Sequence, residues 1–166
     1  MSSGVICHIE LDTKLQQFLK SYFNQTGILF KFPRKDEFDL GRKFKRLLSP
    51  PPENFIKYKK TDRTFDVELP YDDEKPPLYN FYITPRSQAV FSKKVRAAFG
   101  EVFRGEMMKY YSEGFEYKEC VGIFMEAFEI SDNHYETLLK DYQRWRARVR
   151  KQKERRKQKK MIPVHA

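Results

Sequence analysis

The chain predicts an α+β fold: a small mixed scaffold followed by a helical hairpin whose last helix is long and basic. Three observations carry this expectation. Apolar residues alternate with period two in some stretches and recur at 3–4 spacing in others. Hydrophobic residues make up 40% of the 166, including 15 Phe and 10 Tyr, enough for a core in one domain-sized chain. The third is the distribution of charge. The chain holds 33 basic and 23 acidic residues; Arg144–Lys160 takes 11 and 1 of them, leaving 22 and 22 elsewhere. The whole formal charge of +10 therefore resides in that segment.

Taken in order, "VICHIEL" (Val5 to Leu11) places Val5, Cys7, Ile9 and Leu11 on one face and predicts a strand. Asp12 is an expected N-cap for "TKLQQFLKSYF", whose Leu15, Phe18, Leu19, Tyr22 and Phe23 form a helical stripe. "TGILFKFP" reads as extended, and "DEFDLGRKFKRLL" as a second amphipathic helix stopped by Pro50, Pro51 and Pro52. "NFIKYKK" and "RTFDVELP" predict two strands of a hairpin, "YDDEKPP" an acidic loop and "LYNFYI" a further strand. Thr84-Pro85 supplies the start of a long helix over about 85–112, burying Val90, Phe91, Val95, Ala98, Phe99, Val102 and Phe103. In it, Gly100 and Gly105 offer sites for a kink or a close helix approach.

After Gly114, Tyr117, Val121, Phe124 and Phe128 give one helix an apolar face. Ser131, Asp132 and Asn133 are cap residues, and a second helix carries Tyr135, Leu138, Tyr142, Trp145 and Val149 at spacings of 3 and 4. The stretch Glu119 to Tyr142 resembles the helix-turn-helix unit of phage and bacterial transcription regulators. Phe124, Phe128, Ile130, Tyr135 and Leu138 match the positions that fix the angle between the two helices. Met125 stands where that family has a small residue, and Glu129 where it has a turn glycine, a position costly for a side chain in the left-handed conformation. The resemblance implies that the start of the second helix, with Asn133, His134 and Thr137, faces the major groove. The organisation expected is a scaffold over 1–115, a helix-turn-helix-like hairpin over 116–149 packed on it, and a basic tail over 150–166. A weaker resemblance, of "VICHIEL" and the two helices after it, is to ribbon-helix-helix repressors.

The expected function is non-enzymatic nucleic-acid binding, with DNA favoured and RNA the alternative, in a regulatory or phage or mobile-element accessory role. A structural or assembly protein, such as a virion component with a nucleic-acid-contacting tail, is the other reading. Phosphate contacts are expected from Lys140, Arg144, Arg146, Arg148, Arg150, Lys151, Lys153, Arg155, Arg156, Lys157, Lys159 and Lys160. The tail lacks the apolar face that a membrane-surface helix needs. His8, His134, His165, Cys7 and Cys120 show no metal-ligand spacing, and no phosphate-cradling glycine loop or nucleophile elbow is present, so neither an enzyme nor a cofactor nor a metal is expected. Asp72, Asp73 and Glu74 read as a solvated turn. The N-terminus lacks the pattern of a signal peptide and the two cysteines form no framework, so a cytoplasmic, nucleic-acid-associated protein is expected. The Tyr135–Val149 stripe offers a core face or a homodimer seam.

Overall fold

In the computed structural model, which describes residues 4–161, helices and two small antiparallel sheets are combined, an α+β arrangement. His165 and the end of the expected tail lie outside the described residues. The chain divides into two compact units. The first comprises 1–103 with 128–130, the second 104–127 with 131–166. The division falls inside one helix, earlier than the loop at 115.

The first unit is built on strand β1 (Val5–Glu10), which buries Cys7 and Ile9 as the period-two pattern requires. Helix α1 (Thr13–Tyr22) follows directly and buries Leu15, Phe18 and Leu19. Asp12 precedes it, but its carboxylate does not cap it. That group accepts hydrogen bonds from Arg63 at 2.9 Å and Arg96 at 3.0 Å. Helix α2 (Leu40–Leu47) starts four residues later than expected. The Asp36 carboxylate accepts from the backbone N–H groups of Phe38 (3.0 Å) and Gly41 (3.1 Å), and Asp39 is left-handed with φ 56°, so a turn takes up Asp36–Asp39. Gly41 is required here, since a Cβ would lie 2.8 Å from that of Phe32. The helix ends in β2 (Leu48–Ser49), extended as the residues before a proline run must be.

Strand β3 (Thr64–Leu69) pairs antiparallel with β1, from Val5 opposite Leu69 to Glu10 opposite Thr64. β4 (Tyr82–Ile83) pairs with β2. Two strand expectations are corrected. "NFIKYKK" is irregular, because both edges of β3 are occupied. On one side lies β1; on the other, Phe30 donates to Asp66 at 2.9 Å and accepts from Glu68 at 2.8 Å. That single bridge is all the strand structure "TGILFKFP" forms. "LYNFYI" contributes only Tyr82 and Ile83, since a turn from Pro76 to Asn80 takes its first residues.

The irregular segment is tied down by side chains instead. Asp66 is buried on β3 and accepts from His8 of β1 at 2.5 Å and from Lys60 at 2.8 Å, while His8 stacks on Tyr58. Burial acts to raise the Asp66 carboxyl, but the bonds and charges of Lys60 and His8 outweigh it and hold the group below its ordinary value. Phe30, Phe32, Phe44, Phe65 and Phe91 form a chain of ring contacts at 4.9–5.9 Å through the core. Cys7 is buried, which pushes its thiol up to about 12.

Helix α3 (Pro85–Ser112) opens with the expected cap, the Thr84 hydroxyl accepting from the Ser87 N–H at 3.1 Å. Phe91, Val95, Ala98, Phe99 and Phe103 are buried as expected; Val90 is instead exposed and Val102 only half-buried. A Cβ at Gly105 would meet nothing, so no close approach uses that glycine. Among the described residues no helix is long and apolar enough to cross a membrane.

Candidate nucleic-acid interface

The second unit is assembled from the end of α3 and two further helices. Gly114, at φ 102°, reverses the chain after α3, a conformation glycine adopts without a Cβ penalty. Helix α4 (Tyr117–Ala127) begins where Glu119 reaches back to the Glu116 N–H at 2.8 Å, and it buries Cys120, Val121, Phe124 and Met125. The turn that follows contains Glu129 at φ 51°, so this glutamate occupies the left-handed conformation expected to be costly for it. Phe128–Ile130 group with the first unit, where the Phe128 ring lies 5.7 Å from that of Phe18. A one-turn 3-10 helix (Asp132–His134) leads into α5 (Tyr135–Met161), whose Tyr135 hydroxyl donates to the Lys118 carbonyl at 3.2 Å.

Helix α5 has two halves of different character. In the first, Leu138, Leu139 and Tyr142 are buried, while Trp145 and Val149 are half-buried. Trp145 stacks on Tyr142 at 5.6 Å, with the Arg104 guanidinium 5.8 Å over its ring. Of the stripe read as a core face or a dimer seam, Leu138 and Tyr142 are buried and Tyr135, Trp145 and Val149 half-buried. From Arg150 to Lys159 every residue is exposed.

The sequence-predicted residues fall into three groups. Asn133, Thr137 and Lys140 are exposed near the start of α5, and His134 is half-buried in the turn before it. Arg144, Arg148, Arg150, Lys151, Lys153, Arg155, Arg156, Lys157 and Lys159 are exposed along α5, which also includes Lys160. Arg144 approaches Asp141 only to 3.8 Å. Arg146 stands apart. Its guanidinium lies 5.4 Å from the Tyr111 ring, 5.8 Å from Tyr117 and 5.9 Å from Tyr142, so it fastens α3, α4 and α5 together. Burial raises the Tyr142 hydroxyl, against the opposing charge of Arg146. Tyr111 was not singled out from the sequence and Tyr117 was read only as part of an apolar helix face; the local signal for the cage was the four-residue spacing of Tyr142 and Arg146.

Beside this cage lies a cleft of about 340 Å³ lined by Tyr117, Gln143, Arg146, Ala147 and Arg150. What the arrangement offers is a continuous helical surface of cations. Among the described residues no group of three or more His, Cys, Asp or Glu is placed to hold a metal. In the acidic loop, Asp72 pairs with Lys45 and Asp73 accepts from Tyr71 at 2.6 Å.

No known family, curated protein or solved structure matches the chain.

Proposed function

We propose that this protein binds duplex DNA without catalysing a reaction, in a regulatory or mobile-element accessory role, through α5 and the turn that precedes it. The observation that carries the reading is the exposure of every residue from Arg150 to Lys159, a stretch in which seven of ten side chains are basic and one acidic. A solvated surface helix ordinarily mixes signs to limit its own repulsion; one that does not is stabilised by a polyanion. The helix-turn-helix reading of α4 and α5 draws support from buried Phe124 and Leu138, and from the left-handed residue at Glu129. Arg146 is left out of the proposed contacts, because the three tyrosines engage it.

The test is a fluorescence-anisotropy titration of duplex DNA, single-stranded DNA and hairpin RNA at two salt concentrations. It compares the full chain with a truncation ending at Val149. If eight cations after Val149 meet phosphates, the full chain shows a log–log salt slope of roughly −7, and the truncation loses most of it. Equal slopes for the two proteins would sink the role given to α5. A preference for hairpin RNA would move the reading to an RNA partner.

A further inference from the structure

Helix α5 contains a single acid among its basic tail, Glu154. Arg150 and Lys157 stand one turn away on either side, yet Glu154 has no ion pair among the described residues. Its position on the helix supplies another account. At 3.6 residues per turn, Gln143, Ala147, Glu154 and Gln158 fall on one line, at spacings of 4, 7 and 4, and all four are exposed. Glu136 and Lys140, also exposed, begin the same line. It lies nearly opposite buried Leu138 and Tyr142 and about 70° round the helix from buried Leu139.

Eight of the cations flank it, while Lys140 lies on the line and Arg156 nearly opposite. Arg144, Arg148, Lys151, Arg155 and Lys159 form one stripe roughly 90° round the helix; Arg150, Lys153 and Lys157 form another roughly 80° the opposite way. The cleft beside the tyrosine cage shows where one border runs, with Gln143 and Ala147 sharing its wall with Arg150.

We infer that this seam is a base-reading face and that α5 lies lengthwise in the major groove of B-form DNA. The inference rests on the DNA-binding reading above and adds which side chains read sequence. A helix of about 10–12 Å diameter fits a groove about 12 Å wide, and its flanks then meet the phosphates of both strands. Two basic stripes with a narrow seam between them match two phosphate walls with base edges between them. A helix lying on a flat polyanionic surface would use one stripe only. The seam carries the chemistry of base edges: Gln143 and Gln158 pair with adenine N6 and N7, Glu154 accepts from the cytosine amino group, and Ala147 packs on a thymine methyl. The deep, narrow major groove of A-form RNA does not admit a helix, so the partner is DNA. The seam also relocates readout away from Asn133, His134 and Thr137 at the helix start.

The experiment is selection of the full chain against a randomised duplex DNA pool, with salt-dependent anisotropy on the selected site. It uses the protein itself, Q143A/E154A/Q158A, R148Q/K151Q/R155Q and R150Q/K153Q/K157Q, each checked for unchanged helix content by circular dichroism. The seam variant is expected to lose about tenfold or more in preference for the selected site while keeping its salt slope. Each stripe variant is expected to lower the slope by about 2.7, three phosphate contacts' worth, with preference retained. Unchanged preference in the seam variant overturns the inference, as does a slope that responds to one stripe alone; both leave DNA binding standing. If the protein itself fails to bind duplex DNA, the function proposed above falls first.

Discussion

Asp12 in the first unit accepts hydrogen bonds from two arginines, Arg63 and Arg96, at 2.9 and 3.0 Å. Glu154 on α5 has cations a turn away on both sides and pairs with neither. The contrast extends beyond these two residues. In the first unit Lys31 meets Glu68 at 2.9 Å, Lys60 meets Asp66 at 2.8 Å, and Arg42 meets Asp39 at 2.8 Å. There charges close contacts both within a turn, as for Asp39 and Arg42, and between separate segments, as for Lys31 and Glu68, and the unit's net charge is +4 against +10 in Arg144–Lys160. On α5 the charges hold nothing in place, with the exception of Arg146. The difference separates two uses of the same residue types. An arginine counts as structural by what surrounds its guanidinium, and the composition of the segment around it does not decide the matter.

Asp66 gives the largest expected effect and breaks the first unit at its most connected charge. Asp66→Asn removes the acceptor shared by His8 and Lys60 and is expected to cost about 2 kcal/mol at neutral pH. The figure is held low because Lys60 is 67% exposed and its attraction is screened. The folded protein holds this carboxyl below its ordinary value, so the unfolded chain takes up the proton at higher pH. Its contribution is therefore complete above the ordinary carboxylate range and is lost as pH falls through the lowered, folded-state value. Thermal melts from pH 7 down to about pH 3 should show the wild type losing stability more steeply than Asp66→Asn in that acid window. Parallel curves would mean that the clasp does not contribute.

A sharper comparison lies within α5 itself, between two arginines two residues apart. Arg146→Ala is expected to cost about 1 kcal/mol of stability, from loss of the tyrosine contacts, and to leave the salt slope of DNA binding unchanged. Arg148→Ala should do the reverse: a change in stability within about 0.5 kcal/mol and a slope shallower by about 0.9. Denaturant melts and salt titrations on both variants read the two quantities separately. If Arg146→Ala shifts the slope as much as Arg148→Ala, the cage opens on binding and the division fails.

How much of this was legible beforehand follows the same division between local and distant causes. β1, α1, α3 and the two helices of the hairpin repeat their apolar residues over enough turns or rungs to reveal themselves. The failure at "NFIKYKK" is of another kind. Its residues suit a strand, but a strand needs an edge, and Phe30 with β1 had taken both edges of β3 from more than thirty residues away in sequence. Likewise the charge of α5 is visible in composition, while the engagement of Arg146 depends on Tyr111 and Tyr117, contributed by separate elements. Distinguishing a reading seam from its flanking stripes also required α5 to be one unbroken helix through Met161, since a break would rotate the two halves out of line.

Glu129 is the position where local rules and the structure disagree most directly. An L-residue in the left-handed region costs roughly 1 kcal/mol relative to glycine, and the residue here is a glutamate at φ 51°. The conformation is imposed by its neighbours: Phe128 is held against Phe18 on one side, Ile130 is buried on the other, and the chain must turn between α4 and the 3-10 helix. Glu129→Gly should therefore relieve strain. Part of the gain is offset by the greater freedom glycine gives the unfolded chain, leaving an expected stabilisation of about 0.5 kcal/mol. Glu129 is exposed, so no packing is lost with the side chain. A higher denaturant midpoint with unchanged DNA affinity is the expected result. A lower midpoint would show that the glutamate itself stabilises the turn, and the hairpin would then owe its geometry to that side chain and not to the anchoring of Phe128 and Ile130.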